Sequence, residues 1–395
     1  MKVLQINSVS GIKSTGRICT DIADVLISKG HDCKIASGRE AAPDKYKDIT
    51  IYTDTSFGVK LHAIQSRIFD NAGFARKQAT RKFISRIREF NSDIIHLHNI
   101  HGYFINVEEL FFYLLEVNKP VIWTLHDGWA FTGHCTYPSR ANCDKWKEGC
   151  FKCPQKRSYP KSFLVDSSKK NYNMKKRLFT NLKNMTIVTP SQWLADYVGE
   201  SFLSKYPIEI IHNGIDTNIF SHRESSFRVD NSLENKKVIL GVASPWGKRK
   251  GLDDFIELSK QLKESYCIVL VGITDKQRRR IPKEIITIGQ INNPLELAKI
   301  YSAADVFVNL TYADNYPTVN LEAQSCGTPT ITYKTGGSVE SVPNCQVVGQ
   351  GDIQGVKNLI YSICEKGQYL LFDRNAFERQ KVFERYVELY NSKMI

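Results

Sequence analysis

VILGVASPWGKRKGLDDFIELSKQLKESYCIVLVG, residues 238–272, reads as a strand, a polar turn, an amphipathic helix and a second strand. Both strands are near-continuous apolar runs. Such strands suit a parallel sheet covered on both faces, and a helix between them is the crossover that a parallel pair needs. Working outward, ITIGQ, LELAKIYSAA, DVFVNL and PTITY extend the alternation toward the C-terminus. On the other side, HRESSFRVDNSLENKK (222–237) has no hydrophobic period and reads as a linker. Before it the same alternation runs from VLQI through GRICTDIADVLISKG, HDCKIAS, DIIHLHN (93–99), PVIWTLHD (120–127), MTIVTPS (185–191) and PIEIIHNG (207–214). Ile18, Ile22, Val25 and Leu26 mark one face of the first helix. Two βαβ series divided by a polar linker predict an α/β protein of two doubly wound, Rossmann-like domains. The expected boundaries are 1–220, with a cysteine-rich insert at 131–155, then 221–370, then a C-terminal helix over 371–395 that crosses back to the first domain.

The chain has 395 residues, enough for two cores, and 42% hydrophobic with 24% charged residues is ordinary for a globular protein. No apolar run approaches the roughly 20 residues that span a bilayer. The start, MKVLQINSVS, reads as a strand and turn and not as a secretory signal. These features predict a cytoplasmic protein whose membrane contact, if it has one, is peripheral at the inner face. The net charge of +13 favours anionic partners: phosphorylated ligands, acidic lipid surfaces or nucleic acid. The charge is spread over several segments, and no nucleic-acid-binding motif accompanies it, so nucleic acid is not expected.

The segment with most chemistry is DNYPTVNLEAQSCGTPTITYKTGG, 314–337, directly after DVFVNL. Asp314 falls on the loop after a strand and Glu322 about one turn into the next helix. Ligands dock at the carboxyl ends of strands in open α/β sheets. Carboxylates are strong acceptors for sugar and ribose hydroxyls, and the free amides at the helix start, through Asn315, Tyr316, Pro317, Thr318 and Val319, suit a phosphate. The bland alternative is a solvated loop and a surface glutamate.

That segment resembles the donor-binding signature of the retaining glycosyltransferases of family 4, of the GT-B fold: an acid, seven residues, Glu-Ala, Cys-Gly-x-Pro and Gly-Gly-x-x-Glu. It matches here as LEAQSCGTP, Gly336–Gly337 and Glu340. Asp314 stands where the pattern has its first Glu. IHNGIDTNIF (211–220), TPSQWLADY (189–197) and GVASPWGKRKGLDDF (241–255) resemble further elements of the family, with Pro245 where its usual clamp arginine stands. SGIKSTGRI, containing Gly16, occupies the place of its glycine-rich loop. The resemblance implies two Rossmann-like domains facing across a cleft, the acceptor on the first and a nucleotide sugar on the second. It implies that Arg249 and Lys250 clamp the donor diphosphate, Glu322 holds the ribose and Asp314 the hexose. It further implies transfer with retention and no catalytic metal.

His96, His98, His101, His126 and Asp127 gather at two strand ends, and His126 with Asp127 is the best candidate for contact with donor sugar or acceptor. Next, Cys135, Cys143, Cys150 and Cys153 crowd together, the last two as C-x2-C, with His134 beside them. Four thiolates suit a structural zinc; free thiols and disulfides are the alternatives. WAFTGHCTY in this insert resembles bacterial family 4 enzymes of colanic-acid-type surface polysaccharide assembly. Finally, Arg67 to Arg88 carries seven basic residues interleaved with Phe69, Phe74, Phe83, Ile84 and Ile87. It reads either as a helix for an anionic membrane surface or as an ordinary helix with a solvated basic face.

The expected activity is therefore sugar transfer from a nucleoside-diphosphate sugar to a saccharide or lipid-linked acceptor, in surface polysaccharide synthesis. A sugar-nucleotide hydrolase or epimerase of the same fold, and a non-catalytic protein that binds nucleic acid or an anionic surface, are the rival readings.

Overall fold

The computed structural model describes residues 1–394. The chain divides into two compact units: Met1–His212 together with the chain from Val382 onward, and Asn213–Lys381.

The first unit is a seven-stranded sheet of β1 (Lys2–Ile6), β2 (Asp32–Ser37), β3 (Thr50–Tyr52), β4 (Ile94–Leu97), β5 (Val121–Thr124), β6 (Met185–Thr189) and β7 (Ile208–Ile210). Its order is β3-β2-β1-β4-β5-β6-β7, and every pairing is parallel. Helices α1 (Lys13–Ser28), α2 (Ser56–Phe69), α3 (Lys77–Phe90), α4 (Val107–Val117), α5 (Ser168–Phe179) and α6 (Gln192–Gly199) supply the crossovers. β4, β5 and β6 are buried along their whole length, as their unbroken apolar runs require.

The second unit opens with the short helix α7 (Phe227–Asp230). It continues with β8 (Lys237–Val242), α8 (Leu252–Ser259), β9 (Tyr266–Val271), α9 (Asp275–Arg278), β10 (Ile286–Ile288), α10 (Pro294–Ala303), β11 (Val306–Asn309), α11 (Thr318–Ser325), β12 (Thr330–Tyr333), β13 (Val347–Val348) and α12 (Ile353–Lys366). Its six strands run β10-β9-β8-β11-β12-β13, again all parallel.

Three stretches differ from the sequence reading. Residues 222–237 are not a free linker: Arg228 on α7 donates to the Ala303 carbonyl at 2.8 Å and to Asp305 at 2.6 Å, tying them to the second unit. The basic segment 67–88 is not one helix. α2 ends at Asp70, in the left-handed region with φ of 52°, and α3 starts after Arg76 at φ 61°. The basic side chains around α3 are matched by acids. Arg81 makes a bidentate pair with Glu109 at 2.7 and 2.9 Å, Arg76 one with Asp54 at 2.8 and 3.1 Å, and Lys77 and Arg88 meet Glu108 and Glu116. Phe83, Ile84 and Ile87 are buried, so α3 is a packed helix; of its other cations, Arg86 donates to the Tyr52 carbonyl.

The final helix, α13 (Arg379–Lys393), packs Val382, Phe383, Tyr386, Val387 and Tyr390 against Ile18, Ile22, Leu26, Ile94 and Ile122 of the first unit. Tyr386 and Tyr390 reach the sheet itself: the Tyr386 hydroxyl lies 3.1 Å from Thr124 Oγ1, and that of Tyr390 2.6 Å from His96 Nδ1. Tyr386 is fully buried, so Tyr386→Ala leaves a cavity and removes one of the two partners of Thr124 Oγ1, the other being His96. It is expected to lower stability by about 3 kcal/mol, read by urea denaturation. A change below about 1 kcal/mol would mean that the helix contributes little to the core.

Candidate active site

In each sheet the strand order reverses once, between β1 and β4 in the first unit and between β8 and β11 in the second. At such a point the loops leaving two neighbouring strands part to opposite faces and leave a crevice. The candidate residues follow these strands.

In the second unit the loop after β8 carries Arg249 and Lys250, and the loop after β11 carries Asp314. The Lys250 ammonium donates to Asp314 Oδ2 at 2.5 Å, and Arg249 approaches the same oxygen at 3.8 Å while donating to the Ala313 carbonyl at 2.7 Å. Burial pulls the Lys250 amine below its usual value against the pull of Asp314. Burial alone would raise the Asp314 carboxyl, but Lys250 and Arg249 override it and hold it below the usual carboxylate range. Two cations thus share one carboxylate and leave a net positive charge at the strand ends. Gly251 makes this approach feasible. At φ +69°, a Cβ there would sit 2.1 Å from the Leu310 carbonyl oxygen, so only glycine lets the loop lie against the end of β11.

Helix α11 follows the Asp314 loop. Its N-cap is Pro317, whose side chain cannot accept from the first turn. Glu322, one turn in, is buried and accepts a hydrogen bond from Tyr301 at 3.1 Å. Tyr316 is buried, and its carbonyl accepts from Asn213 at 2.8 Å. The Asn213–Gly–Ile–Asp216 element therefore has a bracing role. Ile215 exchanges backbone hydrogen bonds with Phe377 and Arg379, and Asp216 pairs with Arg379 at 3.0 Å. Beneath the site Asn320 joins Asn309 and Ser341, each at 2.8 Å, fixing α11 against β11 and the Gly336–Ser341 turn.

In the first unit the sequence places His126 beside Asp127, yet the structure turns them to different histidines. Asp127 Oδ1 caps the Trp129 amide at 2.9 Å, and Oδ2 lies 3.0 Å from His101 Nε2. The His101 Nδ1 is 3.2 Å from the Tyr159 hydroxyl. His126 Nε2 instead lies 3.1 Å from His98 Nδ1, and His98 Nε2 lies 3.1 Å from Gln5 Oε1. The proton order along this row can be assigned from its inner end. Gln5 donates through Nε2 to the Cys19 carbonyl at 2.8 Å, so its oxygen faces His98. His98 must then donate from Nε2 and accept at Nδ1, and His126 must donate from Nε2. Burial holds His98 neutral, and burial also lowers His126, to about 4. Neutral His126 therefore keeps its Nδ1 as a hydrogen-bond acceptor. His96 is taken up structurally by Thr124 at 2.8 Å and by Tyr390. Tyr159 and Gln5 were not singled out by sequence; they join the group through His101 and His98, from which they are distant in the chain.

Gly16 lies in the first turn of α1, where its carbonyl accepts from the Gly11 amide at 3.0 Å. A Cβ on it would come within 3.0 Å of Val9, so this glycine closes the β1–α1 loop on itself.

Cys135, Cys143, Cys150 and Cys153 are free thiols. The neighbouring Cys135 thiol draws the Cys153 thiol below its usual value. Among the described residues no three His, Cys, Asp or Glu side chains are arranged as a metal-binding group. His134 is engaged at Nδ1 by Asp70.

Residues 15–219 match the family Glycosyltransferase Family 4, and residues 223–376 match Glycosyl transferases group 1. The chain belongs to Glycosyltransferase Family 4. Among the relatives of this glycosyltransferase is WcaC of Escherichia coli (strain K12), named for colanic acid biosynthesis glycosyl transfer, 25% identical over 342 residues that cover 76% of each chain. Another is the N,N'-diacetylbacillosaminyl-diphospho-undecaprenol alpha-1,3-N-acetylgalactosaminyltransferase of Campylobacter jejuni, 24% identical over 43% of this chain and 49% of its own. In fold, the chain is like Anabaena Alr3699/HepE in complex with UDP, with a TM-score of 0.67 at 15% identity over 99% of this chain and all of the other. It is also like sucrose-phosphate synthase from Thermosynechococcus elongatus, with a TM-score of 0.70 at 15% identity over 99% and 98%. These likenesses establish the GT-B fold.

The buried histidines give a pH prediction. His62 and His126 are lowered to about 4, and His96 and His98 fall well below their usual value, in each case chiefly by burial. A histidine whose folded pKa is depressed leaves stability complete above its unfolded value of about 6.5 and erodes it below, because the unfolded chain then binds the extra proton. Each is expected to remove up to about 1.4 kcal/mol per pH unit below that value, so the melting temperature should fall steadily between about pH 7 and about pH 5. His134, raised because Asp70 outweighs its burial, works in the opposite direction and offsets part of this loss. A flat melting profile across that range would show these rings to be protonated in the folded state.

Proposed function

We propose that this glycosyltransferase moves a sugar from a nucleoside-diphosphate sugar to a saccharide or lipid-linked acceptor, with retention of configuration, in surface polysaccharide synthesis. The observation that carries this reading is the Arg249–Lys250–Asp314 cluster beside the uncapped start of α11 at the switch point of the second sheet. The diphosphate lies against Arg249, Lys250 and the first amides of α11, within the stretch Asn315, Tyr316, Pro317, Thr318 and Val319. Asp314 accepts from hexose hydroxyls and Glu322 from the ribose. Gly16, which keeps the β1–α1 loop closed on itself, is assigned to ligand contact within the first unit.

In the reaction the bond between the anomeric carbon and the diphosphate oxygen breaks, and the acceptor oxygen bonds to that carbon on the same face. The acceptor proton passes to the departing phosphate oxygen, and the cations stabilise the charge that builds on the leaving group. His126 Nδ1, an acceptor at neutral pH, orients a sugar hydroxyl, and Asp127 holds the neighbouring His101. Support for a lipid-linked or polysaccharide acceptor comes from the relatives' names alone. The Arg249–Lys250 pair supplies the charge that a divalent cation would otherwise supply, so no catalytic metal enters the reading.

Thermal stability with a panel of UDP, GDP, ADP and CMP and their sugar conjugates tests the donor site. One nucleotide at about 100 times its dissociation constant should stabilise the protein by about 2.7 kcal/mol. Lys250→Ala should abolish that shift. Glu322→Ala should reduce transfer by about 100-fold or more, since it removes a charged acceptor from a buried pairing. No shift with any nucleotide, in folded protein, would overturn the reading.

With a donor in hand, transfer should survive excess EDTA within about twofold, because the leaving charge is met by side chains. Loss of activity that magnesium restores would place a metal in the mechanism.

A further inference from the structure

Helix α2 is inside out. Its inward face is Gly58, His62 and Ser66, and its outward face is Phe57, Leu61, Ile64 and Ile68. The four apolar residues follow the i, i+4, i+7, i+11 spacing that puts them on one narrow stripe. Normal amphipathic helices turn such a stripe into the core. Here Phe57 is 69% exposed and Ile64 52%, while both His62 ring nitrogens and the Ser66 hydroxyl are buried without a hydrogen-bond partner. The arrangement places polar groups against protein and hydrocarbon in water, so it is unfavourable on both faces unless something apolar covers the stripe.

The stripe continues onto a second element. The Phe163 amide donates to the Arg67 carbonyl at 2.8 Å, and the Ser167 hydroxyl to the Phe69 carbonyl at 3.0 Å. These bonds dock the loop Phe163–Leu164–Val165 beside the last turn of α2. All three side chains are exposed, Leu164 the most at 71%, and Phe69 is exposed next to them.

The charge around this apolar surface has one dominant sign. Lys60 and Arg67 flank the stripe along one edge of α2, and Lys161, Lys169 and Lys170 border the loop, all exposed. The nearby acids are engaged within the protein: Asp54 pairs with Arg76, and Asp166 accepts from the Cys153 and Ser168 amides. An apolar stripe rimmed by lysine and arginine matches the interface of an anionic bilayer, with acyl chains beneath and phosphates around. Another protein surface of this kind would need acidic residues at its rim, and a second copy of this chain would bring like charges together.

We propose that α2 and the Phe163–Val165 loop dock this enzyme on an anionic membrane surface. The apolar side chains enter the boundary of the acyl region, while Lys60, Arg67 and Lys161 contact lipid phosphates. This deepens the reading of a lipid-linked acceptor and rests on it only for its purpose, since docking is measured without donor or acceptor.

The experiment is flotation of the full chain with vesicles of phosphatidylcholine alone and of phosphatidylcholine mixed with phosphatidylglycerol. Wild type should float with the mixed vesicles, not with the neutral ones, and less so as salt is raised. The variant Leu61→Ser/Ile64→Ser/Leu164→Ser should bind at least about tenfold more weakly, as expected for withdrawing several buried aliphatic groups. Lys60→Glu/Arg67→Glu should lose the preference for anionic lipid. Because every substituted side chain is exposed, melting temperatures and nucleotide-induced shifts should match wild type, which separates a failure here from a failure of the donor site. Wild type that stays with the soluble fraction while still binding nucleotide would overturn the membrane assignment alone. So would equal flotation of the serine variant, or a wild-type dimer that the serine variant dissolves, which would make the stripe a self-association face.

Discussion

Everything functional in this chain depends on two hydrogen-bonded strand neighbours, β1 with β4 and β8 with β11. Both pairs are parallel and both mark the place where strand order reverses. Because all strands point the same way, every loop that leaves a carboxyl end arrives at the same edge of its sheet. That constraint brings Lys250 to Asp314 across 64 positions of sequence, and His98 to His126 across 28. Neither pairing needs a local motif; each needs only the order in which strands are laid down. Gly251 is the local concession that lets the first pairing close, because any side chain there would meet the Leu310 carbonyl.

The strand alternation and the apolar runs made the two-domain α/β fold legible, since periodicity and crossover length are local properties. The strand, loop and helix start around Asp314 were legible as well, because they are consecutive in the chain. What was not legible is which side chain faces which. His126 and Asp127 are adjacent, which suggested a pair, but successive residues leaving a strand point in different directions, and each found its own histidine. Four thiols close in sequence read as a ligand set, but convergence on one point is a property of the folded insert that spacing alone does not carry. Residues 222–237 lack periodicity, and absence of periodicity describes a docked irregular segment as well as it describes a linker.

The distribution of charge separates two uses of basic residues that composition merges. Along α3, Lys77, Arg81 and Arg88 meet Glu108, Glu109 and Glu116 of α4, so much of that charge is balanced internally. Around α2 the cations border exposed hydrocarbon. A net charge of +13 is consistent with either arrangement, and only the positions of the acids tell them apart.

The helical period adds a last distinction. An apolar stripe in sequence is ordinarily evidence for a buried face, and α1 obeys: Ile18, Ile22, Val25 and Leu26 are all buried. α2 carries as regular a stripe and turns it outward. The pattern itself records only that one side of the helix meets something apolar; it does not say whether that partner belongs to the same chain. The opposite face decides. Behind the α1 stripe stand residues suited to water, whereas behind the α2 stripe stand Gly58, His62 and Ser66, small enough to let the helix sit close on the protein yet too polar to drive it there. Only Val59, half-buried, adds an apolar contact with the core on that side, so most of the helix's hydrocarbon faces away from the protein. The physical signature of an outward contact is the mismatch between the two faces, not the stripe alone.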